Sequence, residues 1–314
     1  AAMIACGAAR YALARGDRAE AAELWPLVEW CLEYCRRQLT PDGVVASDTD
    51  ELEGRFPTGD ANLCTSTLYY DALLSAVSLG RELGVESAQT ARYAAQARAL
   101  ARAIDAYFGG EVGGYDTYRY YAGNTLLRSW ICMPLIVGLK ERSEGTVRAL
   151  LGPELMTDDG LLTQQGSSTF WDRSTLYALR GIYNVGQADR ATELLHRYSQ
   201  RRLLGDHVPY PIEAWPEGSQ RHLSAESGLY CRIITEGLFG IRPTGLRSFD
   251  LTPSMPAAWE SMSLRHIRAF GSDFDITVAR VADGRLRITV ARPGAKPKIY
   301  RAAPGATIRV KLTD

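Results

Sequence analysis

The sequence predicts a mainly helical protein that ends in a small antiparallel β domain. From residue 1 to about Gly240, apolar residues recur at the i, i+3 and i+4 spacing of amphipathic helices in about nine segments. After Gly240, prolines break this pattern, and apolar and polar residues then alternate as in strands on both sides of the turn sequence Asp283-Gly284. We therefore expect a helical domain at 1–245 and a β domain at 246–314.

The predicted helices differ in how strongly the sequence supports them. Segment 87–108 is dominated by Ala and Arg, which are strong helix formers, and Ser87 stands where a capping residue is expected. The approximate ranges of the nine segments are 2–15, 18–39, 62–84, 87–108, 124–141, 144–152, 168–186, 188–203 and 223–239. No period of about 33 to 47 residues recurs in residue identity, which argues against the common helical repeat arrays.

The composition is typical of a globular protein with a neutral partner. The 314 residues carry 36 basic and 36 acidic side chains, and 46% of the residues are apolar. A formal net charge of zero gives no electrostatic reason to expect nucleic acid or an anionic membrane surface as the main partner. No apolar run reaches the roughly 18 residues that a membrane-spanning helix needs. Because Ala1 opens directly into a helix-like run, we expect the N-terminal part of a longer protein to precede it, and localisation cannot be read from a leader.

The cysteines and histidines do not suggest a metal site. All six cysteines lie in apolar helical patterns, and the four histidines are scattered along the chain. Cys31 and Cys35 are one helical turn apart, but no second cysteine pair stands at a zinc-ligand spacing. We expect the cysteines to be small core residues, and we expect neither a metal ion nor an organic cofactor.

The loop at 41–61, called the acid loop below, is the first candidate for a catalytic site. It holds four carboxylates within six positions: Asp48, Asp50, Glu51 and Glu53. Crowding of like charges raises the pKa of at least one carboxyl group, and a carboxylic acid that stays protonated near neutral pH is what a general acid requires. The structural alternative is a solvated acidic loop in which Asp60 or Asn62 only caps the next helix.

The loop at 204–222 is the second candidate. Its central carboxylate, Glu213, is flanked by aromatic residues and prolines, namely Tyr210, Pro211, Trp215 and Pro216. Aromatic faces pack against the CH face of a sugar ring, whose hydroxyls need polar partners. The alternative is an aromatic loop that clamps the helical core. Two carboxylate loops about 160 residues apart on one helical scaffold fit the two-carboxylate logic of glycoside cleavage.

Between these loops, Trp171, Asp172 and Arg173 stand at the predicted start of a helix. They could line a sugar subsite, or they could form a capping ion pair beside a buried anchor, and the sequence leaves both open. Trp130 falls within an apolar run and is expected in the core.

Two longer stretches resemble the six-hairpin glycosidases, the (α/α)6-barrel group that contains glucoamylase-like, α-L-rhamnosidase-like and disaccharide phosphorylase-like enzymes. Residues 50–66 are similar to the acid loop of the phosphorylases, which commonly reads Gly-Pro-Asp-Glu and continues to Asp-Asn-Ala-Tyr-Thr-Asn. Here Asp48-Thr49 stands where Gly-Pro is usual, and the order around Asn62 differs. Residues 236–259 resemble the junction at which these enzymes leave the last barrel helix and enter a C-terminal β-sandwich, and residues 212–215 match at motif level.

The resemblance implies an (α/α)6 toroid of helical hairpins followed by an antiparallel β-sandwich. Counted back from the junction, the nine helices would be the fourth to the twelfth of a barrel, with about three more before Ala1. The resemblance assigns the general acid to Glu51, with Glu53 and Asp50 as alternatives. It places the general base between the eleventh and twelfth helices, on Glu213, and Glu226 is the alternative.

We therefore expect an inverting glycoside hydrolase that acts on an oligo- or polysaccharide. Its two catalytic carboxyl groups should lie about 6.5–9.5 Å apart, which leaves room for the attacking water. The expected substrate-binding residues are Arg55, Asp60, Asn62, Trp171, Asp172, Arg173, Tyr210 and Trp215. The alternatives are a disaccharide phosphorylase of the same fold, in which phosphate replaces water, and a non-catalytic carbohydrate-binding or scaffold protein.

Overall fold

Helices form most of the chain before Gly240. The computed structural model describes residues 1–52, 54–168, 170–204, 210–213 and 224–313. The α-helices are α1 (Ala2–Arg15), α2 (Arg18–Arg37), α3 (Leu63–Leu83), α4 (Ser87–Phe108), α5 (Met133–Val137), α6 (Ser143–Leu150), α7 (Asp172–Asn184), α8 (Ala188–Tyr198) and α9 (Ser224–Arg232). A 3-10 turn (Ser129–Cys132) precedes α5, and π-helical turns extend α8 (Ser199–Leu203) and α9 (Ile233–Leu238).

Local sequence signals set the ends of the first helices. The Asp17 carboxylate accepts hydrogen bonds from two backbone N–H groups in the first turn of α2. Gly16 and Gly84 end α1 and α3 in the left-handed conformation that glycine adopts at little cost. The buried face of α1 consists largely of alanines, which let neighbouring helices approach closely: Ala2, Ala5, Ala9 and Ala12.

The helices pack as consecutive hairpins. The odd-numbered helices contact one another in succession from α1 to α9. Of the other helices, α2 packs on α1 and α3, α4 packs on α3, and α8 packs on α7. An ion pair between Arg10 on α1 and Glu236, just after α9, connects the first and last helices of this succession. The odd-numbered helices therefore form an inner layer, which α2, α4 and α8 cover, whereas α6 packs on the 3-10 turn before α5.

Two details of the helical prediction are wrong. The predicted helix at 124–141 is limited to the 3-10 turn and α5, because Arg128 is extended and forms a β-bridge with Gln164, and Gly138 ends the helix in a left-handed conformation. Ser87 is not a cap; it is the first residue of α4, which has no side-chain cap. A hairpin that the sequence analysis missed, β1 (Gly109–Val112) with β2 (Tyr115–Tyr118), follows α4.

The antiparallel β domain is confirmed. The remaining strands are β3 (Met156–Thr157), β4 (Gly160–Leu161), β5 (Ile241–Gly245), β6 (Ser248–Leu251), β7 (Ser261–Ala269), β8 (Ser272–Arg280), β9 (Leu286–Ala291), β10 (Lys298–Ala302) and β11 (Ile308–Lys311). They form a short β3–β4 hairpin, a sheet of order β10-β9-β8-β7 and a sheet of order β11-β6-β5. The two larger sheets meet where the ring of Phe249 stacks on Phe270 and Phe274, at centroid distances of 5.0 and 5.5 Å. The predicted turn is present at Gly284, whose φ is 79°.

The β domain is attached to the end of α1. The backbone N–H groups of Phe270 and Gly271, in the turn between β7 and β8, donate to the carbonyls of Ala14 and Arg15 at 2.5 and 3.1 Å. A side chain at Gly16 would clash with the backbone of this turn. This contact places the β domain at the end of α1 that is remote from the acid loop.

The core contains most of the cysteines. Cys31, Cys35, Cys64 and Cys132 are buried as expected, and Cys6 is half-buried, but Cys231 is exposed, so the prediction was wrong there; all six are free thiols. Trp130 is buried in the core. Within the described ranges, no helix is long and apolar enough to cross a membrane, and no group of three or more His, Cys, Asp or Glu residues could hold a metal ion.

Candidate active site

A cavity of about 700 Å³ lies beside the acid loop, between the start of α1 and the end of α2. Three carboxylates of the described residues line it: Asp48, Glu51 and Asp60. Oε2 of Glu51 accepts a hydrogen bond from the backbone N–H of Met3 at 2.8 Å. Tyr34 and Gln38 add further polar groups to the wall. The cavity is thus rich in hydrogen-bond acceptors, which suits a neutral molecule that carries several hydroxyls.

Asp50 faces the opposite way from Glu51, although the two residues are adjacent. Its side chain is fully buried, where it accepts hydrogen bonds from the Tyr120 hydroxyl at 2.5 Å and from the Leu52 N–H at 2.8 Å. Arg128 lies 3.6 Å from the same carboxylate. Because these contacts keep it away from the cavity, Asp50 is not a suitable general acid and instead fixes the loop.

Arg128 is the buried cation on which the acid loop rests, and the sequence analysis missed it. Its guanidinium donates to the Pro57 carbonyl at 3.1 Å and stacks over Tyr120 and Phe56, at 4.3 and 5.0 Å from the ring centroids. Burial, together with the nearby Asp50 carboxylate, raises the pKa of Tyr120 well above its ordinary value, so Tyr120 remains a hydrogen-bond donor. The one signal in the sequence was a basic residue inside an otherwise apolar run.

Asn62 caps α3. Its Oδ1 accepts from the Thr65 N–H at 2.8 Å, and its Nδ2 donates to the Thr49 carbonyl at 3.0 Å. The side chain is buried and both ends of the amide are used. The structure therefore gives Asn62 the capping role of the structural alternative, and burial keeps its side chain away from solvent.

Arg173 connects the acid loop to the second candidate loop. Its Nη1 donates to the Leu52 carbonyl, next to Glu51, at 2.7 Å. Its Nη2 lies 2.8 Å from Oε1 of Glu226 and 3.8 Å from Oε1 of Glu213. The sequence predicts that Arg173 binds sugar hydroxyls, but its contacts connect the acid loop to both candidates for the general base.

The two candidates for the base differ in their environments. Glu226 is 1% exposed, and burial raises its pKa although Arg173 acts in the opposite direction. The side chain of Glu213 is 29% exposed. Water can therefore reach Glu213 more easily than it can reach Glu226.

Trp171 and Asp172 contact the residues that position the two candidate loops. Trp171 is 7% exposed, and the guanidinium groups of Arg55 and Arg173 approach its ring to 5.5 and 4.7 Å. Asp172 is buried, pairs with Arg202 at 3.1 Å and accepts from the N–H of Ile212 at 2.6 Å. The ring of Trp171 is thus covered by cations rather than open to a sugar, and Asp172 holds the residue that precedes Glu213.

The remaining predicted residues fall into two groups. Arg55 and Asp60 are exposed at the acid loop, and Tyr210 is half-buried beside the second loop. Glu53 and Trp215 lie outside the described residues. Among the residues that the structure describes, Glu213 does not line the cavity that contains Glu51; Arg173 stands between the two loops.

Comparison with known proteins places the fold. No family model and no curated protein sequence matches the chain. A solved sialidase structure matches 97% of the chain with a TM-score of 0.67 at 15% identity. The GH78 family rhamnosidase of Bacillus sp. GL1 matches 95% with a TM-score of 0.60 at 16% identity. The α-L-rhamnosidase of Streptomyces avermitilis, solved with L-rhamnose, matches 96% with a TM-score of 0.52 at 15% identity.

The chain shares its fold with these solved structures, which are six-hairpin glycosidases. The resemblance found in the sequence is thereby confirmed at the level of the fold, and it is these neighbours that support the toroidal arrangement of the six-hairpin helices. The chain spans about a third of the length of each matched protein, namely 32%, 31% and 32%. Within this six-hairpin framework, the acid loop and Glu213 are the places where the sequence analysis expects the chemistry.

Proposed function

We propose that the chain carries the catalytic centre of an inverting glycoside hydrolase, with Glu51 as general acid and Glu213 as general base. The observation that carries this proposal is the position of Arg173, whose guanidinium contacts both the residue next to Glu51 and Glu213 itself. The two carboxylate loops are about 160 residues apart in the chain, and this single side chain holds them together. The six-hairpin fold and the glycosidase names of its structural neighbours support the same reaction class.

In this mechanism, Glu51 donates its proton to the departing glycosidic oxygen, and Glu213 takes a proton from the water that attacks the anomeric carbon from the opposite side. Glu51 lines the large cavity, as the donor to a bound substrate must. The side chain of Glu213 is partly exposed and lies 3.8 Å from Arg173, so water has access to its carboxylate. Inversion needs about 6.5–9.5 Å between the two carboxyl groups in the complex with substrate.

The charge of the cavity favours a neutral sugar. Asp48, Glu51 and Asp60 line it, and a substrate with its own carboxylate would be repelled by them. Of the activities named by the structural neighbours, cleavage of a neutral deoxysugar such as L-rhamnose therefore fits this chain better than cleavage of an acidic sugar. A phosphorylase would meet the same repulsion with inorganic phosphate, which also needs no general base.

A substrate panel tests the reaction. We expect release of reducing sugar from aryl glycosides of neutral sugars, with rhamnosides first, none from sialosides, and no dependence on phosphate. Proton NMR of the first product should show inversion. Phosphate-dependent cleavage would establish the phosphorylase alternative instead, and a panel without any turnover, in a protein that binds the sugars, would establish the non-catalytic one.

Two variants test the base. Glu213→Ala should lose hydrolysis but regain part of its turnover with azide, which needs no deprotonation, and the product should be the inverted glycosyl azide. Glu226→Gln should keep most of the activity. Retention of configuration, or a fully active Glu213→Ala beside an inactive Glu226→Gln, would overturn the assignment.

A further inference from the structure

A second cavity, of about 300 Å³, lies further along α1, toward the β domain. Its charged lining belongs to one group of side chains, the arginine cluster: Arg10, Asp71, Arg180, Arg232, Glu236 and Arg242. A smaller cavity of about 170 Å³ shares Arg10 and Glu236 with it and adds Arg242. None of these residues belongs to the proposed catalytic machinery.

The first carboxylate of the cluster is shared by two arginines. Asp71 on α3 is buried, and its oxygens lie 3.0 Å from Arg10 and 2.6 Å from Arg242. Although burial acts to raise the pKa of Asp71, the two guanidinium groups hold it well below its ordinary range. Asp71 is therefore ionised at neutral pH, and it compensates one of its two cations.

The second carboxylate is shared by three arginines. Glu236 lies 2.9 Å from Arg10, 3.1 Å from Arg180 and 2.7 Å from Arg232. These cations outweigh the opposing effect of burial and lower the pKa of Glu236 to about 2. Since both carboxylates are ionised, the four guanidinium groups of the cluster exceed its carboxylates by two positive charges.

Arg180 is the least exposed arginine of the cluster. Its side chain is 5% exposed, and its Nε has no hydrogen-bond partner among the described residues. Burial, together with the nearby Arg232, lowers its pKa to about 10. A buried guanidinium with an unpaired N–H is costly unless an acceptor completes it, and an oxygen of a bound anion is such an acceptor.

We propose that the arginine cluster is a binding site for a small oxyanion, of the phosphate or carboxylate type. Guanidinium forks recognise two oxygens of such an anion at once, and the excess of positive charge supplies the attraction. The side chain of Arg232 is 36% exposed, so the cavity is open to a ligand from solvent. This site does not depend on the proposed function, because Arg10 lies about 10 Å along α1 from Met3, which touches Glu51, at 1.5 Å per residue.

Titration with inorganic phosphate at constant ionic strength, with chloride as the compensating ion, tests the proposal. We expect saturable binding in calorimetry and a rise of the melting temperature with phosphate, since a ligand that binds only the folded state stabilises it. An acetate titration distinguishes a carboxylate site from a phosphate site. Responses to phosphate and to acetate that are both no larger than the response to chloride would overturn the proposal.

Two variants locate the site. Arg232→Gln should weaken phosphate binding about tenfold, the scale of one charge-assisted contact. The control is Arg37→Gln, which likewise removes an arginine paired with a glutamate four residues away, but on the exposed face of α2. This control variant should leave phosphate binding unchanged. Glu236→Gln removes a competing carboxylate and should tighten binding. Equal losses in Arg232→Gln and Arg37→Gln would overturn the assignment, even if Glu236→Gln fails to fold.

Discussion

The two ends of the first inner helix present opposite chemistry. At the start of α1, three carboxylates line a cavity of about 700 Å³, and the buried Arg128 pairs with Asp50 within the acid loop. Further along the same helix, four arginines outnumber two carboxylates around a cavity of about 300 Å³. The formal net charge of the chain is zero and therefore indicates neither the acidic cavity nor the basic one. Composition can therefore exclude a polyanionic partner for the whole surface, but it says nothing about a single local site.

The two ends also use buried charge differently. At the acid loop, buried Arg128 and Asp50 compensate each other, so that Glu51 can face the cavity. In the arginine cluster, the charges that line the cavity are themselves the ones that hold the helices together. Substitution of a cavity-facing carboxylate at the first end should therefore change activity without changing stability, whereas substitution of a cavity-lining charge at the second end should change stability as well.

The sharpest test of this difference is Glu51→Gln. It should lower turnover of substrates with poor leaving groups by about 10²–10⁴-fold, the usual contribution of a general acid. The amide oxygen can still accept from the Met3 N–H, so the melting temperature should stay close to that of the wild type. Steady-state kinetics on activated and unactivated glycosides, with thermal unfolding in parallel, measure both.

The matched control is Asp48→Asn, in the same loop and on the same cavity. It removes one negative charge without removing the proposed acid, so it should change KM more than kcat. If Glu51→Gln loses stability and activity together, Glu51 belongs to the fold and the comparison between the two ends fails.

The next largest effect is expected for Arg128→Met. Removing one partner of a buried ion pair leaves the other charge uncompensated, which costs about 3–5 kcal/mol. Here it would strand the Asp50 carboxylate under the acid loop. Urea denaturation measures the free energy of unfolding. Arg36→Met breaks an exposed pair with Glu33 and should leave that free energy nearly unchanged; equal effects of the two variants would contradict the supporting role of Arg128.

A smaller effect, with a defined pH window, is expected for Glu236→Gln. The pKa of Glu236 is about 2 in the folded protein, against an ordinary value of 4.5. A carboxyl group whose pKa is lowered by folding stabilises the fold fully at pH values above its ordinary pKa of 4.5. This stabilisation is lost as the pH falls from 4.5 toward 2. The wild type should therefore lose on the order of 2–3 kcal/mol in this window, at about 1.36 kcal/mol per pKa unit, and the variant should lose less. Parallel pH profiles of wild type and variant would contradict the folded-state ion pairs.

The sequence predicted those parts of the fold that depend on local periodicity. Segments 2–15 and 87–108 coincide with α1 and α4, because alanine-rich amphipathic runs need little help from tertiary contacts. The apolar run around Arg128 predicts one helix, but Arg128 is extended because it forms a β-bridge with Gln164. This long-range contact could not be predicted from the local pattern. The sequence Gly113-Gly114 is typical of a hairpin turn and could have predicted the β1–β2 hairpin. It was missed because it follows directly after the strong helical pattern of α4.

The candidate site was less predictable, because its roles depend on partners that are distant in the chain. The motif indicated Glu51, which does line a cavity, but it could not distinguish Asp50, which turns inward to a residue 70 positions away. Arg173 and Asp172 were chosen as sugar ligands because they are polar and follow a tryptophan. Their contacts with the Leu52 carbonyl, 121 positions away, and with the Ile212 N–H, 40 positions away, give them supporting roles instead.

The smallest predicted effect concerns Glu226, a buried carboxylate beside Arg173 whose pKa is raised. A carboxyl group with a raised folded-state pKa stabilises the fold fully below its ordinary value of 4.5, and the stabilisation is lost as the pH rises through the folded-state value. The cause is burial, which Arg173 offsets only in part, so the ionised group carries a net cost at neutral pH. In Glu226→Gln, the free energy of unfolding relative to the wild type should therefore improve as the pH rises from 4.5 to 7. Urea unfolding of both proteins across this range measures the difference. A relative stability that falls as the pH rises would mean that the Arg173–Glu226 pair outweighs burial, and that this end of α1, like the other, depends on its ion pairs for stability.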